Sequence, residues 1–309
     1  MSEQIATATF SGEEQARAYI RSCEQNFANQ IRHTADQILA QGSCKLLGLG
    51  GPSCAGKSTT AMLLIRYLEQ AGKHVHVISI DDFFREQPHV RGKKADLMQE
   101  NLDLDSIDAL DFDLFCHCVD ELMHHGVTQI PIYDLSKSLR CGSREYRIKD
   151  ENDLFLFEGI QTVYPQISQL LEQYPYFSMF ISVEQSLRIG NTVFDPKRIR
   201  LMRRLVRDYY RRDSDAAFTM FLWNGVRANE EKNIFPNASH CMTHLNSTMG
   251  YEVGMLRPYL EAILPPILDS DAYGHIARDI LDDIQVAQPL SVDLLPDVAL
   301  YREFVGKPG

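Results

Sequence analysis

The sequence predicts an α/β fold, a parallel sheet with helices on both faces, and three observations carry that prediction. Apolar or β-branched runs of strand length recur at Leu46–Gly50, 74–80, 154–157 and 177–183. Stretches with apolar residues at helical spacing, 58–69, 108–124, 164–172 and 198–210, lie between them. Strand and helix alternate, so successive strands need crossovers, which bury the sheet on both sides. A length of 309 residues, 44% hydrophobic and 24% charged, suits one large domain of this kind with additions.

Taken in order, residues 13–41 place Ala16, Ile20, Phe27, Ile31 and Ile38 at helical spacing ahead of the first strand. This gives an N-terminal helical extension, 1–44, joined to a main domain, 45–309. The net charge of −11 excludes general attraction to nucleic acid or to an anionic membrane. The start of the chain has no basic segment with an apolar core behind it, and no apolar run reaches bilayer length, so a cytoplasmic protein is expected. Seven cysteines without framework spacing read as reduced thiols, and neither Cys116-x-Cys118 nor Cys241 with His244 has a second ligand pair at zinc spacing. Nothing in the composition speaks against a homo-oligomer.

The first strand runs directly into Gly51, Pro52, Ser53, Cys54, Ala55, Gly56, Lys57, Ser58 and Thr59, which fits G-x-x-x-x-G-K-[ST] at every position. A loop that wraps a polyphosphate with successive backbone N–H groups needs glycine where the chain bends and approaches the ligand. Lys57 then adds a point charge at the terminal phosphates, Ser58 a hydroxyl for Mg2+, and the helix that follows its positive end. The motif makes the fold a P-loop NTPase-type sheet with a nucleoside triphosphate site.

Carboxylates stand where the next strands end. Asp81 and Asp82 follow the second strand, and a hydroxyl that accepts a phosphoryl group needs such a base beside the phosphate loop. Glu158, before Gly159, ends a buried strand where a magnesium-supporting carboxylate belongs. Asp103 and Tyr133 fall in polar clusters read as loops, suited to a sugar diol and to stacking on a ligand. Arg200, Arg203, Arg204 and Arg207 share one helical face in an acidic protein, which suits either a solvated surface or a helical lid over a nucleotide.

In this order the motifs G-x-x-x-x-G-K-S-T, S-x-D-D-F-F, N-L-D, P-x-Y-D, a strand ending in E-G, and R-L-x-R-R-x-x-R-D resemble the uridine kinase and phosphoribulokinase family. Later stretches, among them Trp223-x-x-Val226-Arg227 and Leu300-Tyr301-Arg302-Glu303-Phe304, are similar to its bacterial uridine kinase-like branch. The resemblance implies that Lys57 and Ser58 serve ATP and magnesium, and that Asp81 is the general base. It implies that Asp103 holds a ribose diol, that Phe84, Tyr133 and Arg140 line the acceptor site, and that Glu158 supports magnesium. Arg203, Arg207 and Arg212 become the lid. Two departures affect the acceptor: Ser138 stands where the family has a base-reading histidine, and Phe84 where tyrosine is common. Both remove polar contacts to a pyrimidine, and Lys137 with Arg140 would suit an acceptor that carries phosphate.

The expectation is therefore ATP-dependent phosphoryl transfer to a primary hydroxyl of a nucleoside, uridine- or cytidine-like, or of a related ribose-containing small molecule. A sugar-phosphate kinase and a slowly hydrolysing nucleotide switch are the alternatives, and no N-K-x-D guanine-reading motif occurs.

Overall fold

The run Leu46–Gly50, buried at every position, is the middle strand of a five-stranded sheet. The computed structural model describes residues 4–6, 9–86, 105–135 and 137–305. Strands are numbered along the chain: Gln4–Ala6 (β1), Leu46–Gly50 (β2), His74–Ser79 (β3), Val127–Asp134 (β4), Leu139–Arg147 (β5) and Asp153–Glu158 (β6). Tyr176–Ser182 (β7), Ser186–Ile189 (β8), Thr192–Phe194 (β9) and Thr243–Asn246 (β10) follow. The main sheet has the order β10-β7-β2-β6-β3 and every pairing in it is parallel, as the sequence predicts.

The helices are Glu13–Ala40 (α1), Lys57–Gln70 (α2), Phe112–His125 (α3), Pro165–Leu171 (α4), Pro196–Arg212 (α5) and Ala216–Asn229 (α6). Beyond a one-turn π-helix, Glu230–Ile234, come Phe235–Ala238 (α7), Glu252–Ile263 (α8) and Gly274–Ile284 (α9). Strand β6 shows how both sheet faces are filled. Leu154 and Leu156 join the core that holds residues of α1, α2, α5 and α8, while Phe155 and Phe157 point into a second core with α3 and α4. An unbroken apolar run is what a strand buried on both sides requires.

Residues 13–40 form one helix of 28 residues, and Ala16, Ile20, Phe27, Ile31, Ala35 and Ile38 belong to the same core as β2 and β7. The sequence boundary near residue 44 therefore runs through a continuous core. Glu24 of α1 accepts hydrogen bonds from the Tyr251 hydroxyl and, at 3.0 Å, from the Leu300 amide.

One reading changes. Tyr133 and Asp134, placed in a loop by the sequence, end strand β4 of an antiparallel hairpin with β5. Pro131 obscures the strand, because proline cannot donate to a ladder and argues against a central position; in this two-stranded hairpin it is tolerated. Among the described residues no helix is long and apolar enough to cross a membrane.

Candidate active site

The loop from Gly51 to Gly56 leaves β2 and turns into α2 at the carboxyl edge of the sheet. Two glycines are demanded there. A Cβ on Gly51 would lie 2.2 Å from the Ile181 carbonyl oxygen, and Gly56 adopts φ +96°, in the left-handed region that side chains avoid. Lys57 extends back over the loop, its Nζ donating to the carbonyls of Gly51 (3.0 Å) and Pro52 (3.2 Å). Ser58 is exposed at the start of α2, where the amides and the helix dipole favour an anion.

Asp81 sits on a 3-10 turn, Ile80–Phe83, that continues β3 and is capped by the Ser79 hydroxyl accepting from the Asp81 amide (3.3 Å). Ser79 pairs with Glu158 across β3 and β6, so the two strand ends bring Asp81 and Glu158 together. Gly159 permits this approach, since a Cβ there would come 2.8 Å from Ile80 Cβ. Asp82 is committed elsewhere: its Oδ1 accepts the Tyr133 amide (3.0 Å) and ties the hairpin to the turn. The structure thus separates a carboxylate that faces the phosphate loop from a neighbour that holds the scaffold.

Burial, the largest effect, raises the pKa of Asp81; Lys57 and Arg212 oppose it and Asp82 adds to it. Glu158 is likewise raised, by burial first, with Lys57 opposing and Asp81 and Glu303 adding. With the Ser58 hydroxyl these carboxylates form an all-oxygen donor set that fits a hard cation such as magnesium. Among the described residues no group of three or more His, Cys, Asp or Glu could hold a metal by itself.

These groups line one cleft of about 920 Å3. Its walls include the loop from Ser53 to Thr59, Asp81, Phe84, Glu158, Gln161, and Arg204, Arg207, Arg211 and Arg212 of α5. Leu222, Val226 and Asn229 of α6 close it above, with Asp297, Val298, Arg302 and Glu303 from the far end of the described chain.

One expectation is corrected, and two other groups have internal partners. Arg203, expected in the lid, is fully buried behind the phosphate loop, bonded to Glu252 at 2.8 Å and to the Cys54 carbonyl at 3.2 Å. Its neighbour Arg204 faces the cleft instead. Tyr133 and Arg140 stand one layer behind Phe84: the Tyr133 ring lies 5.6 Å from that of Phe84, and Arg140 Nη2 donates to the Phe84 carbonyl (3.4 Å) and pairs with Asp111 (2.9 Å). Lys137 is paired with Asp134 at 2.7 Å, so both cations considered for a phosphorylated acceptor have internal carboxylates. Asp103 lies outside the described residues.

Sequence reasoning missed Gln161 and Glu303. Gln161 is fully buried and its amide has no partner among the described residues. Glu303 Oε2 accepts from the amide (3.2 Å) and hydroxyl (2.9 Å) of Thr59, the third residue of α2. The available signal was Arg302-Glu303, a charged pair inside an otherwise apolar stretch.

A stability prediction follows from the raised carboxylates. A folded-state pKa above the unfolded value means that the native protein holds protons the unfolded chain has released, so stability falls as pH rises from about 4 through the folded pKa. The penalty is complete once the pH exceeds the folded pKa. Asp81→Asn and Glu158→Gln should therefore each raise Tm by a few degrees at pH 7.5, with the gain vanishing below about pH 4, where the carboxyl is neutral in both states. Thermal unfolding across pH checks this; a lower Tm at pH 7.5 would contradict it.

A model described as the Phosphoribulokinase / Uridine kinase family matches residues 46–250. Uridine-cytidine kinase C of Dictyostelium discoideum is 27% identical over 172 residues, covering 56% of this chain and 32% of that relative. A uridine kinase of Yersinia enterocolitica is 28% identical over 167 residues, covering 53% of this chain and 68% of the relative. The chain thus spans about a third of the length of the first and two thirds of the second. A solved structure from Silicibacter, of a candidate fructose transport system kinase, superposes with a TM-score of 0.51 at 17% identity, covering 69% of this chain and 98% of the other; it speaks for the fold alone.

Proposed function

Since this chain belongs to the phosphoribulokinase / uridine kinase family, we propose that it is an ATP-dependent kinase that phosphorylates a primary hydroxyl of a nucleoside or a related ribose-containing small molecule. The observation that carries the reading is the placement of Lys57 and Ser58, on a glycine loop, in one cleft with the half-buried carboxylate of Asp81. A phosphate-binding loop alone suits any nucleotide switch. A desolvated base facing it suits transfer to an acceptor.

In this mechanism the loop amides and Lys57 hold the β- and γ-phosphates, and Arg204, Arg207 and Arg212 offset charge that builds during transfer. Asp81 accepts the proton of the acceptor hydroxyl as its oxygen bonds to the γ-phosphorus and the bond to the β-phosphate oxygen breaks, leaving ADP. Ser58 and Glu158 would hold magnesium, which neutralises phosphate charge when bound. Phe84, Leu222 and Val226 offer an apolar wall for a base.

The test is incubation with magnesium and ATP against a panel of ribonucleosides and pentose phosphates. ADP formation matched by a phosphorylated nucleoside is the expected result. Release of free phosphate at a rate that no acceptor changes would favour the switch instead.

A further inference from the structure

Arg200 and Arg203 lie at positions i and i+3 of α5, behind the phosphate loop, with Arg204 at i+4 on the cleft side of the same face. Arg200 Nη1 donates to the Ser53 carbonyl (3.2 Å), Arg203 Nη1 to the Cys54 carbonyl (3.2 Å), and Arg204 Nη1 to the Ser53 hydroxyl (3.0 Å). We propose that Arg200 and Arg203 are positioning residues that fix the peptide planes of the phosphate loop, and so set nucleotide affinity without touching the nucleotide. This rests on the kinase reading above.

In a planar trans peptide the carbonyl and the following N–H point in opposite directions. Pinning the Ser53 carbonyl outward therefore turns the Cys54 N–H the other way. Pinning the Cys54 carbonyl orients the Ala55 N–H, which closes a turn onto the Pro52 carbonyl (3.3 Å). Cys54 itself has φ +60°, a left-handed conformation that a non-glycine residue keeps only when its surroundings enforce it.

The two arginines are themselves held rigidly. Arg200 makes a two-pronged bond to Glu230 (2.5 and 2.7 Å) on the π-helix and lies over the rings of Trp223 and Phe235 at 5.5 and 5.7 Å. Arg203 reaches Glu252, Tyr301, the Ser247 hydroxyl (3.2 Å) and the Ser247 carbonyl (2.7 Å). Fully buried ion pairs are often no more stabilising than apolar residues of the same volume. Their contribution here is geometric: a guanidinium can satisfy a carboxylate and still direct one N–H at a loop carbonyl, which a lysine ammonium on a shorter fork-less stem cannot.

The test is Arg200→Lys, which keeps the charge, beside Ile31→Ala, a core variant in α1 remote from the loop. The dissociation constant for a non-hydrolysable ATP analogue with magnesium is measured by calorimetry well below the Tm of each. The expected result is a constant about tenfold higher for Arg200→Lys, the loss of one charge-assisted bond, and an unchanged constant for Ile31→Ala despite a comparable loss of Tm. Acceptor KM at saturating ATP should stay within about twofold of wild type, since the loop is loosened and the acceptor wall is not. An unchanged constant for Arg200→Lys, or an equal rise in both variants, overturns the inference. If Arg200→Lys does not fold, Glu230→Gln, which frees Arg200 from part of its anchor, is held to the same comparison. Failure of the wild type to bind the analogue overturns the kinase reading instead.

Discussion

Asp81→Asn is expected to bind ATP about as well as wild type and to transfer phosphate 10²- to 10⁴-fold more slowly, the usual cost of losing a general base. The substitution keeps the shape of the side chain and the Ser79 cap on the Asp81 amide, so the 3-10 turn survives. What disappears is the oxygen able to take a proton from the acceptor. Because burial holds the carboxyl above its ordinary range, the wild-type rate should rise with pH along a limb displaced upward from the usual carboxylate value of about 4. The variant should lack that limb. A purely capping role predicts the opposite combination, a stability loss of about 1 kcal/mol with near-normal turnover. Single-turnover rates with the acceptor found by screening, beside calorimetric ATP binding, separate the two; full transfer by the variant would move the question to Glu158.

Lys57→Ala should damage both steps. Its ammonium lies over the loop, bonded to the carbonyls of Gly51 and Pro52, within reach of a bound polyphosphate. Loss of a charged hydrogen bond weakens binding by about 1.5–3 kcal/mol, or roughly tenfold to a hundredfold in the dissociation constant. Removing a donor from the developing charge of the transition state lowers turnover by a further 10²–10³-fold or so. The expected pattern is thus a raised ATP constant together with a reduced kcat, whereas Asp81→Asn reduces kcat alone. Equal ATP affinity for Lys57→Ala and wild type would remove Lys57 from the nucleotide site.

The sheet was legible because its signals are local: Leu46–Gly50 and 154–157 are unbroken apolar runs, and strand buried on two faces is the only economical use for them. The phosphate loop was legible because Gly51 and Gly56 answer steric demands that no other residue meets. Asp81 and Asp82, by contrast, are indistinguishable in sequence. Only the hairpin, whose Tyr133 amide takes up Asp82, tells them apart, and that contact spans 51 residues. The arginines of α5 were seen as a shared face, but a face has two possible neighbours, solvent and protein. Helical spacing says nothing about which; burial of Arg200 and Arg203 against Glu230 and Glu252 is a tertiary fact. Gln161 carries no local pattern, and the Arg302-Glu303 pair marks a polar break without saying that Glu303 meets Thr59, which follows only once distant segments meet.

The contact between Glu303 and Thr59 joins residues 244 positions apart, and that between Glu24 and Leu300 joins residues 276 apart. Seen in the order of synthesis, this has a consequence for the newborn chain. At ribosomal rates of about 5–20 residues per second, the glycine loop emerges roughly ten to fifty seconds before the segment that completes its cleft. For the first roughly five to twenty seconds of that interval, until β6 has followed about 100 residues later, β2 has neither of its neighbours β6 and β7 beside it and stands with unpaired edges, the state most open to wrong pairings. Maturation of this protein should thus depend on protection of that strand by a chaperone or by slow collapse with α1, and nucleotide should capture the chain only after residue 303 has docked.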